Sequence, residues 1–492
     1  MKTDAHWQKI GAHPHHGIVL FLPALHSQQN FGIGEFLDLI PLIDWCKKVG
    51  FDCIQLLPLN DSGNDPSPYN VVSTCALDPI FLSLSALQIA IPGPPPSTRL
   101  EIFQKKLSLL RAYFNQNFAT LCETTHYQTF LSDNPWLTAY AHFKALKEQH
   151  GGKHWIDWPI DSPPPPPSEE HFYIFLQFLC FQQMRRVRDY ATQAHVFLMG
   201  DFPILPSSDS ADVWASPNQF HLDIEAGAPQ DAYNPNGQHW GFPLPNWQVM
   251  EQTQFAWWKL RLRTLESLYH IYRIDHAVGL FRIWGIPKGK PPLEGAFVPA
   301  DRALWVPRGK KLLELFIESS PLLPIAEDLG TIPEEVYPIL KELGICGMKV
   351  VRWQQQGGHY TPFDQYEPLS LTTLTTADMS LLASWWKSTP NESVPFAHFM
   401  HIPYHPLLSA SQRLTILRAA HRSSSYFHIN LLQEYLALFP ELCFLDPESE
   451  RINIPGTILP TNWTYRFRPS VETIVSHQML ADTIRNTIPL LK

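Results

Sequence analysis

Gly17-Ile18-Val19-Leu20-Phe21-Leu22 is a continuous apolar run, the pattern of a strand covered on both faces. From Glu35 to Val49 the apolar positions Phe36, Leu39, Ile43 and Cys46 fall on one side of a helix. Pro41 lies inside that segment, which predicts a late start or a bend, and Gly50 closes it. Phe51 to Leu59 is a second buried strand. Strand, helix and strand at this spacing predict a βαβ unit with parallel strands.

The same rhythm returns after a break. Strands are predicted at residues 17–23, 51–58, 196–203, 270–275, 322–327, 347–353, 370–377 and 427–433. Helices are predicted near 250–268, 333–343 and from Leu381 to Lys387, with the last apolar stretch running on to Leu436. Eight such units around one core make an α/β fold, a (β/α)8 TIM barrel. The break runs from a loop at 60–79 through helical patterns at 98–118, 135–150 and 169–194. Pro92 to Pro96 and the run Pro163 to Pro167 punctuate it, the latter as a stiff spacer. The expected organisation is therefore a single catalytic barrel domain over 1–492, with 60–195 inserted as a largely helical subdomain after the second strand. Residues 207–241 read as a long loop region rich in Asp, Asn, Gly and Trp.

Composition narrows the classes. The net charge of -9 comes without a basic run, which argues against nucleic acid and anionic membrane surfaces. No apolar run is long enough to span a bilayer, and Met1 to His6 carries no signal-like region. Seven cysteines without a CxxC pair suggest reduced thiols, no structural zinc and a cytoplasmic location. Cys46, Cys53, Cys180 and Cys443 sit in apolar runs and are expected in the core. The 46 prolines are about twice the usual share and imply many ordered loops. The 16 Trp and 16 Tyr fit a site that stacks flat amphipathic ligands such as sugars, or a large aromatic core.

Candidate chemistry sits at the strand ends. In Ile271-Tyr272-Arg273-Ile274-Asp275-His276, alternation points Arg273 and Asp275 the same way. Such an Arg holds its carboxylate ionised, whether in a site or in a structural ion pair. Glu327 and Asp378 also end apolar strands, and barrel chemistry sits at the C-terminal strand ends. Converging carboxylates could bind a divalent metal or cleave a glycosidic bond by double displacement. The second needs an ionised nucleophile and a protonated acid about 5–5.5 Å apart. Arg273 favours Asp275 as the nucleophile. The apolar strand around Glu327 favours a raised pKa and a proton donor. Asp378 is then left to stabilise the charged sugar ring or to grip its hydroxyls. No His-rich set accompanies these acids, which argues against a transition metal.

Ordered motifs now extend the picture: Asn30-Phe31-Gly32-Ile33-Gly34, Ser67-Pro68-Tyr69, Asp209-Ser210-Ala211-Asp212-Val213-Trp214-Ala215 and Gly237-Gln238-His239-Trp240-Gly241. Arg273-Ile274-Asp275-His276, Ala326-Glu327-Asp328-Leu329-Gly330, Gly347-Met348-Lys349-Val350, Asn453-Ile454-Pro455-Gly456-Thr457 and Asn462-Trp463 follow. Together and in this order they resemble the 4-α-glucanotransferases, or amylomaltases, over about residues 17 to 470. These are retaining enzymes related to the α-amylases. The resemblance implies transfer of part of an α-1,4-glucan to the 4-hydroxyl of an acceptor glucan, with no cofactor and no metal. It implies Asp275 as nucleophile, Glu327 as acid/base and Asp378 as transition-state stabiliser. It further implies sugar contacts from Arg273, His276, Ser67, Tyr69, Asp209, Gln238, Trp240 and Asn453.

The chain departs from that pattern beside the site. The family's Thr-His-Asp is Thr376-Ala377-Asp378 here, which removes a sugar contact expected to contribute ~2–4 kcal/mol in the transition state. Its Phe-Arg-Gly is Ala277-Val278-Gly279, and Phe242 stands where Asn is usual after Trp240-Gly241. Three readings are open on these grounds: an active glucanotransferase, a slow or mainly hydrolytic α-glucosidic enzyme, and a glucan-binding protein impaired in catalysis.

Overall fold

In the computed structural model, residues 1–91, 93–231 and 234–489 are described. Pro92 of the proline cluster and residues 232–233 of the 207–241 region lie outside them. Eight parallel strands form one sheet: β1 (His15–Leu20), β2 (Cys53–Leu56), β3 (Phe197–Phe202), β4 (Ile271–Ile274), β5 (Leu323–Ala326), β6 (Gly347–Val350), β7 (Ser370–Thr373) and β8 (Phe427–Leu431). Each pairs with its neighbours in sequence except β5 with β6, and β8 pairs with β1. Between β5 and β6 the backbone pairing is reduced to a bridge from Ile325 to Cys346, with the Ala326 N–H on the Cys346 carbonyl at 2.8 Å, and Asp328 accepts the Met348 N–H at 2.6 Å. The sheet is a nearly closed barrel, and all eight predicted strands are in it. Their side chains are buried almost throughout, which is why they read as unbroken apolar runs.

The crossovers follow the sequence, including the late helix start predicted at Pro41, with two differences. The first helix starts late, at Leu39, so Pro41 sits in its first turn where no N–H is missed, and Gly50 ends it at φ 90°. The sixth crossover has no α-helix; a short hairpin, Gln355–Gln356 with His359–Tyr360, takes its place. The 207–241 region is not all loop. Phe220–Ala228 and Gln238–Pro245 pair with each other and, through the first, with Ile283–Pro287 and Ala296–Val298 in a four-stranded antiparallel sheet.

Four helices, Arg99–Leu121, Thr125–Asp133, Trp136–Gln149 and Pro167–Ala194, fill the segment between β2 and β3. They are tied to the 60–79 loop by buried charge. Asp61, fully buried, takes Lys144 at 2.9 Å and the Tyr140 hydroxyl at 2.7 Å, and Asp78 takes Arg99 at 2.5 Å. No cysteine is paired among the described residues. Cys46, Cys53 and Cys180 are buried as expected, whereas Cys443 is half-exposed beyond the last strand. No helix among the described residues is long and apolar enough to cross a membrane.

Candidate active site

Arg273 is the centre of the barrel mouth. It is buried on β4 and directly opposite Asp201 of β3 in the ladder. Its Nε donates to Asp201 Oδ1 at 3.0 Å and its Nη2 to Asp201 Oδ2 at 2.6 Å, a two-point grip that fixes the guanidinium plane. Nη2 also reaches Asp275 Oδ1 at 3.2 Å and the Tyr69 hydroxyl at 3.0 Å, while Nη1 lies 3.0 Å from Glu327 Oε2. Asp275 follows the last residue of β4 and Glu327 the last of β5, so neighbouring strands deliver the two carboxylates to one cation. The His276 N–H adds a 2.9 Å bond to Glu327 Oε2, which His276 achieves from a left-handed backbone at φ 45°.

The protonation pattern reverses the sequence expectation. Burial, and then the Glu327 charge, push the Asp275 carboxyl well above its ordinary range despite Arg273. Burial would raise Glu327 as well, but Arg273 and the His276 N–H outweigh it and hold that carboxyl below its usual value. The reason is geometric: Arg273 is shared among three carboxylates, and Glu327 has the additional N–H. Three acids thus compete for one guanidinium, which leaves Asp275 the less favoured of the two reacting carboxyls to carry charge.

Asp378 is corrected in position. β7 stops at Thr373, and Asp378 lies in an exposed turn five residues further on. Its Oδ1 accepts the Asn453 amide at 2.6 Å. A cavity running into the barrel is lined by Tyr69, Arg273, Glu327, Thr376, Ala377 and Asp378, so Ala377 borders the same space as the acids.

The other predicted residues divide. Tyr69 donates to Asp201 at 2.7 Å, and the Trp463 ring backs it at 5.5 Å between centroids. Ser67 shapes the turn that presents it, accepting the Tyr69 N–H at 3.4 Å, and Asp65 takes the Ser67 N–H at 2.8 Å. Trp240 meets the His276 ring edge-on at 4.8 Å, and its indole N–H donates to Gln238 at 3.2 Å. Asp209 is occupied elsewhere: one oxygen pairs with Lys147 at 2.5 Å and the other accepts the Trp155 N–H at 3.2 Å. It fastens the β3 loop to the helical region and is not among the groups gathered around Arg273. The glycine turn is structural too. Gly32 has φ 78°, and a side chain at Gly34 would strike the Leu22 carbonyl at 1.9 Å. Ala277 and Val278 are buried in a tight turn whose Ala277 N–H bonds the Glu327 carbonyl at 3.1 Å. Phe242 is half-buried against the core.

Asp201 was not among the predicted residues. Its signal is an acid at the end of an apolar strand, the same pattern as Asp275 and Glu327.

A near-closed parallel barrel with acids delivered from adjacent C-terminal strand ends to one guanidinium has the layout of a barrel enzyme. The family model described as 4-alpha-glucanotransferase matches residues 20–472. The 4-alpha-glucanotransferase of Chlamydia trachomatis serovar D is 41% identical over 507 residues, covering 96% of this chain and 95% of the relative. That of Thermus thermophilus is 30% identical, covering 86% and 89%. Among solved structures, an amylomaltase from Streptococcus agalactiae in complex with acarbose superposes with a TM-score of 0.81 at 23% identity, over 96% of this chain and 98% of that one. The chain belongs to the 4-alpha-glucanotransferase family.

Proposed function

We propose that this 4-alpha-glucanotransferase moves α-1,4-glucan segments between maltooligosaccharides by retaining double displacement. Asp275 attacks the anomeric carbon and Glu327 protonates the departing 4-oxygen. The C–O bond to the leaving glucan breaks, and a glycosyl ester of Asp275 forms. Glu327 then takes the proton from the acceptor 4-hydroxyl, which attacks and releases Asp275. Asp378, steadied by Asn453, grips ring hydroxyls as positive charge develops. Arg273, fixed by Asp201, holds the two reacting acids, and Tyr69 and Trp240 offer aromatic faces to the sugar. The observation that carries this reading is the single guanidinium within 3.2 Å of both Asp275 and Glu327.

The reaction needs a proton on Glu327, so substrate must weaken the bonds that Arg273 and the His276 N–H make to it. The substrates are soluble α-1,4-glucans such as those derived from glycogen or starch, and the setting is cytoplasmic. Residues 1–492 act as one catalytic unit, with 60–195 as an inserted subdomain that holds the Tyr69 loop.

The test is incubation with maltotriose, without added metal, followed by separation of products by chain length. A ladder of longer and shorter maltooligosaccharides is expected, and Asp275→Asn abolishes it. Glucose and maltose without a ladder would replace transfer by hydrolysis. Binding without turnover would leave only a glucan-binding protein.

A further inference from the structure

The geometry points to Glu434 as a positioning residue for the loop that carries Asp378, an inference that rests on the role given to Asp378 above. The short helix Leu432–Leu436 follows β8, and Glu434 on it is fully buried. One of its oxygens, Oε2, pairs with Arg413, itself buried on the helix Ala410–Ala420. The other, Oε1, faces the β7 loop. It accepts the Leu382 N–H at 2.8 Å and the Thr375 hydroxyl at 3.4 Å. Those residues bracket Asp378 and Ala377. A single carboxylate thus joins the start of the loop to its end.

Neighbouring bonds act in the same sense. Asn430 takes the Leu374 N–H at 2.8 Å, and Arg352 donates to the Ser380 carbonyl at 3.0 Å. Asp378 itself is exposed and, among the described residues, its side chain makes only the Asn453 hydrogen bond shown above, so its placement depends on how the loop is held. Apolar pairs commonly replace buried ion pairs without loss of stability. A charge pair here whose free oxygen bonds only loop atoms is therefore read as geometry for the loop. Positioning of this kind raises kcat more than it lowers KM.

Two double variants separate this role from a merely structural one, both assayed on maltotriose with thermal melts. Arg413→Met/Glu434→Leu removes the charge pair and the loop acceptor together. Arg413→Met/Glu434→Gln removes the charges but keeps a carbonyl oxygen for Leu382. The first is expected to lower kcat at least tenfold with KM within twofold, and the second to return to within threefold of the natural protein. Should the Met/Leu pair fail to fold, Glu434→Asp, which draws the carboxylate back by one methylene, carries the same kcat expectation. Equal loss in both double variants, or loss confined to KM, overturns the inference. An inactive natural protein would overturn the functional reading and this one with it. An active protein whose Met/Leu variant keeps its rate overturns this one alone.

Discussion

Arg273 is fully committed: three hydrogen-bonding partners and the Glu327 ion pair surround a planar fork on a buried strand. A lysine carries the same charge but offers one compact ammonium, which cannot grip Asp201 at two points and still reach Asp275 and Glu327. Arg273→Lys is therefore expected to lower kcat on maltotriose at least 100-fold, about 3 kcal/mol, with a smaller change in KM. A rate within tenfold of the natural protein would mean that charge alone suffices. Ala377 poses the converse case. It is buried, borders the cavity shared by Glu327 and Asp378, and stands where the family resemblance expects histidine. Ala377→His is expected to raise kcat by tenfold or more, since it restores a donor that acts on the developing charge. An unchanged rate would show that another group already fills that role.

At the level of elements, the weakest join in the barrel is between β5 and β6, and the N-terminal helix lies under it. Helix Asp4–Ile10 places the Trp7 indole N–H on the Gly344 carbonyl at 2.9 Å and the Thr3 hydroxyl on the Leu343 carbonyl at 2.8 Å. Trp7 is buried and packs on Tyr426 and Phe427, linking this join to β8. Trp7→Ala is expected to cost about 3–5 kcal/mol, read as a lowered midpoint in urea with catalysis per folded molecule unchanged. The barrel strands were legible because burial on both faces leaves a continuous apolar run. The antiparallel sheet was not: its strands are half-exposed, pair over long separations and shift register around Glu225. The end of β7 was misjudged because Thr373 bonds the Thr375 carbonyl and Leu374 turns to Asn430, local bonds that compete with the ladder. Asp275 and Glu327 were legible as strand-end acids. The direction of their pKa shifts was not, since it depends on how one arginine is divided among acids from three strands.

Across the whole molecule, the two ends of the barrel carry opposite demands. The mouth gathers charge, whereas the floor buries neutral histidines. His16 of β1 meets His421 through their Nδ1 atoms at 2.9 Å and stacks on His428 of β8, and His421 bonds the Tyr435 hydroxyl at 2.7 Å. Burial, reinforced by the neighbouring rings, lowers His16 to about 3 and His428 to about 4. The nearby charged partner, Asp52, is engaged by His15 at 2.7 Å. A histidine whose native pKa is depressed binds fewer protons folded than unfolded. Its contribution to stability is therefore intact above about 6.5 and falls as the pH drops toward the native value, by about 2 kcal/mol per histidine at pH 5. Buried acids work the other way: Asp328, raised by burial to about 6, favours the folded state as the pH falls. A variant isolates the histidine share from that background. His16→Gln is expected to be less stable than the natural protein at pH 7.5, where it loses the His421 bond. The gap should narrow by about 2 kcal/mol at pH 5, because glutamine has no proton to refuse. Urea midpoints at the two pH values measure it, and a gap that stays constant would place the acid sensitivity among the carboxylates at the mouth.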